Sequence, residues 1–128
     1  MDSVNSRSEK MLPLTPAVFH IILALADKER HGYAIMQEIA ANTQGKVRMG
    51  PGTLYGSIKR MIAANLIEES DERPDPDLDD ARRRYYRLTE LGRRVATAEA
   101  ERLSELVRVA QAKRLLGGTM PGLSWDGA

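Results

Sequence analysis

KVRMGPGTLYGSIKRMIAANL, residues 46–66, is the stretch on which the reading of the whole chain turns. Pro51, flanked by Gly50 and Gly52, opens a run with helical spacing. Leu54, Ile58, Met61 and Ile62 follow at i, i+4, i+7 and i+8 and form one apolar face. At 100° per residue the opposite face carries Gly52, Thr53, Gly56, Lys59, Arg60 and Ala63. That face is small, polar or basic, and every charged residue from Lys46 to Arg60 is positive: Lys46, Arg48, Lys59 and Arg60. Such a helix packs on a core with one side and approaches a polyanion with the other. Proline suits the first helical position, where its missing N–H needs no partner. The free amides of that first turn and the positive end of the helix dipole favour phosphate. A plain surface helix with a solvated outer face would show the same pattern, so the rest of the chain must discriminate.

Length and composition narrow the field. A chain of 128 residues makes one domain, or one small domain with an appendage. Hydrophobic residues make up 42% and aromatics 5%, so the core is compact and mostly aliphatic. There is no cysteine, which removes disulfides, thiolate metal sites and thiol nucleophiles. The net charge of +1 does not announce nucleic acid, so any electrostatic footprint must come from local segregation. MDSVNSRSEK has no apolar core of a signal peptide, and no apolar run reaches the roughly 20 residues of a membrane helix. The expectation is a soluble cytoplasmic protein with no membrane partner.

Taken in order, residues 1–11 are polar and read as a flexible terminus. Thr15-Pro16 is a helix-start signal, with Val18, Ile21, Ile22 and Leu25 at helical spacing, and predicts a first helix over about 15–27. Asp27–Arg30 reads as a charged connection. His31-Gly32-Tyr33 opens a second helix, about 31–43, with Ile35, Met36, Ile39 and Ala40 on its apolar stripe and Gly45 as a stop. Three helices with short connections, the third basic, form a helix-turn-helix arrangement. After Leu66 the period changes. Leu66–Ser70 and Arg84–Leu88 read as two strands, joined by the proline- and aspartate-rich DERPDPDLDDARR. They predict a two-stranded wing whose Arg82, Arg83 and Arg84 meet nucleic acid while Asp75–Asp80 swing away. Thr89 caps a last helix, about 89–116, with Leu91, Val95, Ala98, Leu103, Leu106, Val107 and Ala110 on its apolar side and Glu99, Glu101, Glu105 and Arg108 elsewhere. Such a helix is about 40 Å long and overhangs a small three-helix body. Its apolar face calls for a partner, most simply a second copy. Residues 117–128, with Trp125, read as a flexible tail.

The segments HGYAIMQEI, GPGTLYGSIKRM, NLIEE and RRYYRLTELGRR, in that order and spacing, resemble the winged-helix core of the PadR family of transcriptional regulators. The resemblance covers about Leu14 to Arg94. It implies a mainly α (α+β) fold: a winged helix-turn-helix over 12–90 and a C-terminal dimerisation helix over 91–116. It also implies a homodimer that binds double-stranded DNA at a pseudo-palindromic operator, usually as a repressor. By the same resemblance the helix from Pro51 is the recognition helix, Tyr55 contacts phosphate near its start, and Tyr33 and Lys46 lie close to the backbone. The candidate DNA-binding residues are therefore Tyr33, Lys46, Arg48, Gly52, Thr53, Tyr55, Gly56, Ser57, Lys59, Arg60, Arg82 and Arg83. The candidate dimer interface is Val95, Ala98, Leu103, Leu106, Val107 and Ala110. Some members of the family respond to a small-molecule effector such as a phenolic acid or a planar drug. Drug stacking at the dimer centre uses aromatics, and the final helix here has no Trp, Tyr or Phe.

Other chemistries fit poorly. Gly50-x-Gly52-x-x-x-Gly56 lacks the spacing and the βαβ context of a dinucleotide loop. His20 and His31 have no metal-ligand spacing; they read as a packing residue and a helix-start residue. Ser57 has no nucleophile-elbow context, and Glu68-Glu69 reads as a solvated strand edge. No enzyme, metal or cofactor is expected. The competing function is a winged-helix protein-interaction module without direct DNA binding.

Overall fold

The structure, a computed structural model, describes residues 10–70 and 84–116. The elements run α1 (Pro16–Leu25), β1 (Arg30–His31), α2 (Gly32–Asn42), α3 (Pro51–Ala63), β2 (Ile67–Glu69), β3 (Tyr85–Leu88) and α4 (Glu90–Ala112). The two terminal segments and the wing tip, with Asp75–Asp80, Arg82, Arg83 and Trp125, lie outside the described residues.

The caps are those the sequence announces. The Thr15 hydroxyl accepts from the Val18 N–H at 3.3 Å and Pro16 takes the first position of α1. The Thr89 hydroxyl accepts from the Gly92 N–H at 2.9 Å and starts α4. His31 is a helix-start residue in a literal sense: its Nδ1 accepts from the Ala34 N–H at 3.2 Å. Gln44 and Gly45 both take positive φ beyond α2, and the Gly45 N–H reaches back to the Ala40 carbonyl at 2.7 Å. Thr43 completes that turn by donating to Ile39 and accepting from the Val47 N–H. These bonds fix where the chain leaves α2 and re-enters as α3.

The sheet has one strand more than the sequence predicts. Arg30–His31, read as part of a charged connection and a helix start, pairs antiparallel with Tyr86 and Tyr85. The order is β1-β3-β2, with Ile67 opposite Leu88 and Glu69 opposite Tyr86. Two residues are too few to show alternation, which is why the strand left no periodic signal. Arg30 is anchored there by the Ala24 carbonyl at 2.7 Å and by Asp27 and Glu38.

Ile21, Ile22, Leu25, Ile35, Ile39, Leu54, Ile58, Met61, Ile67, Tyr86, Leu91 and Val95 form one core beneath all four helices and the sheet. Ile62, placed by the sequence on the apolar face of α3, is exposed instead. The start of α4 passes Leu66, the residue before β2, at contact distance. A Cβ on Gly92 would strike the Leu66 carbonyl, whose carbon stands 2.9 Å from that position. Glycine is required there by the close approach of backbone to backbone.

Two further sequence expectations for α4 are corrected. Val95 is fully buried in the chain's own core, so it offers nothing to a second chain. Glu99, expected on the charged side, is 2% exposed on the same stripe as Leu91 and Val95, at i+4 spacing. Its carboxylate is fully engaged. Arg102 donates to both oxygens, at 2.6 and 3.1 Å, and the Leu14 N–H donates to Oε2 at 3.0 Å. A buried carboxylate needs such partners. The bond to Leu14 ties the segment before α1 to α4.

Candidate nucleic-acid interface

The packing of α3 decides which of its residues face outward. Leu54, Ser57, Ile58 and Met61 are buried. Gly52, Thr53, Tyr55, Lys59 and Arg60 are exposed, and Gly56 is half-buried. Ser57 is thus corrected: it lies one turn before Met61 on the inward side, 1% exposed, and cannot itself touch DNA. The outward surface is low. Among the described residues, and apart from the adjacent residues and the helix's own backbone, no atom of another residue lies within 4 Å of a Cβ built on Gly52, and the neighbour at Gly56 is Arg60 Nη1 at 3.6 Å. Another molecule's backbone or base edges can come close along this line.

The aromatic candidates flank that surface. Tyr55 is 47% exposed, and its ring covers Gly32 at the start of α2. Tyr33, 62% exposed, stands at the rim of a cleft of about 390 Å³ lined by Met36, Gln37, Ala40, Arg48 and Met49. A second groove, about 260 Å³, joins Pro16, Ala17 and His20 of α1 to Arg48, Gly50 and Thr53 at the start of α3. Gly50 gives α3 no side-chain cap, so the first turn of the helix, at the edge of this groove, has no N-cap side chain for its amides. Gln37 also lines the first cleft, and the sequence analysis does not single it out. The signal was present: it lies one turn after Tyr33 and off the Ile35–Ile39 stripe. His20 lines the second groove while remaining half-buried.

Charge is segregated although the net charge is close to zero. Arg30, Arg84, Arg87, Arg94, Arg102 and Arg108 each pair with a carboxylate. Arg84, expected at the nucleic acid, is held by Glu69 at 3.2 Å at the base of the wing. Among the described residues no carboxylate pairs with Lys46, Arg48, Lys59 or Arg60. The cations of the turn and of α3 therefore keep their full charge for an outside anion. Burial raises the Tyr86 phenol above its ordinary pKa, and the nearby Glu69 and Tyr55 add to the shift. Tyr86 therefore stays neutral beneath this surface. No group of three His, Asp or Glu among the described residues could hold a metal ion.

A helix-turn-helix with a basic, low-relief second helix, followed by a β-hairpin, is the winged helix of DNA-binding regulators. The comparison with known proteins agrees: residues 21–98 match the Transcriptional regulator PadR-like family, and the chain belongs to that family. It is 36% identical over 99 residues to transcriptional regulator Rv3488 of Mycobacterium tuberculosis, covering 77% of this chain and 81% of the relative. Its fold is similar to that of a PadR family transcription regulator from Clostridium difficile, with TM-score 0.65, 24% identity, and coverage of 80% of this chain and 100% of the other. It is similar also to a transcriptional regulator from Clostridium thermocellum, with TM-score 0.62, 22% identity, and coverage of 75% and 87%. The family is one of transcriptional regulators and not of enzymes. No helix among the described residues is long and apolar enough to cross a membrane.

Proposed function

We propose that the chain acts as a homodimeric repressor that reads a pseudo-palindromic operator with α3. Tyr33, Lys46, Arg48, Tyr55 and the arginines of the wing hold the backbone in this arrangement, and the outward face of α3 enters the major groove. The observation that carries the reading is that face: small, polar or basic side chains, no acid, and cations that pair with no carboxylate among the described residues. The dimer uses the far half of α4. Leu103, Val107 and Ala110 are only partly covered, and Leu106 and Val109 are exposed. This overhang lies beyond Glu99, the last buried residue of the helix. A two-fold dimer of this kind meets half-sites roughly 34–36 Å apart. Relief by a small-molecule effector belongs to the same reading. A groove of about 260 Å³, lined by Met11, Leu14, Val18, Met61 and Ala64, joins the segment before α1 to α3.

Selection of bound duplexes from random DNA, followed by titration across salt, tests this. The expected result is an enriched sequence with two-fold symmetry and an affinity that falls steeply with salt, because condensed counterions are released. Failure to enrich any sequence would favour a protein-interaction module.

A further inference from the structure

The outward face of α3 contains one arginine that hydrogen-bonds a buried residue of the same helix. Arg60 sits in the third turn, yet its guanidinium lies back along the helix. Nη1 stands 3.6 Å from the place a Cβ would occupy on Gly56, and Nη2 donates to the Ser57 hydroxyl at 3.4 Å. Helical side chains lean toward the N-terminus, so the charge arrives about one turn upstream of its own Cα, in the middle of the outward face.

We propose that Ser57 is a positioning residue for Arg60, that Gly56 is the bare seat on which the guanidinium lies, and that the guanidinium so held reads a guanine in each half-site. This rests on the DNA-reading role given above. The Ser57 hydroxyl is buried, and among the described residues Arg60 supplies its one side-chain hydrogen bond. A buried hydroxyl resists losing its partner, which holds the arginine bent back. One donor of the guanidinium is spent on Ser57, and the rest of its planar fork remains for an outside acceptor. A fork of fixed orientation suits the paired O6 and N7 acceptors of guanine in the major groove. The low surface at Gly52 and Gly56 allows a base edge to come that close. A Cβ at position 56 would stand at an ordinary 3.6 Å from Nη1, so only a longer side chain would take the space on which the guanidinium rests.

The test uses duplexes selected by the wild-type protein, with each base pair then substituted in turn. Wild type should bind roughly 10- to 100-fold more weakly when one particular guanine in each half-site is replaced. Ser57→Ala should reduce that discrimination to a few-fold, leave the salt slope unchanged, and add nothing on an Arg60→Ala background. Arg60→Lys, an exposed change that keeps the charge without the fork, should keep the slope and lose the same guanine preference. It decides the question if Ser57→Ala melts early. Losses by Ser57→Ala and Arg60→Ala that simply add, or Arg60 variants that lower the slope while sparing every base preference, would overturn the proposal. Enrichment of no duplex at all would overturn the DNA reading beneath it; a selected duplex with additive losses overturns only the part assigned to Ser57.

Discussion

The ring of Tyr55 lies over the bare Cα of Gly32, so close that a Cβ there would meet the phenol hydroxyl and stand 2.7 Å from Cζ. One contact thus joins the first turn of α2 to the start of α3 and sets the angle at which the tyrosine faces solvent. Gly32→Ala should push the ring aside. The displaced atoms are the far end of a side chain, so the cost to stability should be about 1 kcal/mol, at the low end for overpacking. DNA affinity should fall more than this modest loss of stability explains. Thermal melting and binding, measured on the same preparation, check both parts.

Gly92 meets backbone instead of side chain, and the contrast is a prediction. The Leu66 carbonyl cannot move away, because it also accepts from the Thr89 N–H at 3.0 Å. Gly92→Ala should cost roughly 1–3 kcal/mol or more, seen as an earlier midpoint in urea, and should exceed the cost of Gly32→Ala.

The Glu99 carboxylate links α4 to the segment before α1 and makes stability depend on acid. The hydrogen bonds from Arg102, helped by the Leu14 N–H, outweigh burial and hold its pKa below the ordinary 4.5. A depressed folded pKa contributes stability that is complete above the ordinary value and is lost as pH falls through the folded one. Glu99→Gln should therefore lower stability at neutral pH by roughly 1.5–3 kcal/mol, the range for hydrogen bonds to a charged group. It should also flatten the loss of stability on the acid side, and denaturant melts from pH 7 down to about pH 3 would show this. A variant with the wild-type acid limb would mean that another carboxylate governs it.

Glu99, Ser57 and β1 mark where the sequence was and was not legible. The caps at Thr15 and Thr89 and the start of α3 at Pro51 follow from local chemistry, and the structure has them. Leu54, Ile58 and Met61 were found by period alone. Ser57 and Glu99 are polar, and polarity alone places such side chains outward. Their positions on the helical wheel pointed inward, one turn from Met61 and from Val95. What the wheel could not supply was the partner, Arg60 or Arg102, that makes such burial tolerable. β1 was invisible for a different reason: its strand character exists only through pairing with Tyr85 and Tyr86. Gln37 could have been found, being one turn from Tyr33 on the open side of α2.

The dimer proposal is tested beyond the point where α4 leaves its own core. Leu106 is exposed, so Leu106→Glu should leave the melting of the domain itself nearly unchanged while weakening association. Sedimentation at micromolar concentration should show mostly monomer, and operator binding should lose its two-site character. A variant that still sediments as a tight dimer would place the interface elsewhere.

Gly56 tests, with least disturbance to the fold, the proposed contact of the outward face of α3 with DNA. A Cβ there meets only Arg60 Nη1, at an ordinary 3.6 Å. Gly56→Ala should accordingly stabilise the free protein by a few tenths to about 1 kcal/mol, since glycine within a helix costs about that much. The decisive measurement is binding of Gly56→Glu to the selected operator, alongside its melting curve. The expected result is a protein that melts like wild type and no longer binds, because the new carboxylate adds bulk and like charge where phosphates and base edges approach. A Gly56→Glu protein that melts like wild type and still binds its operator tightly would contradict the claim.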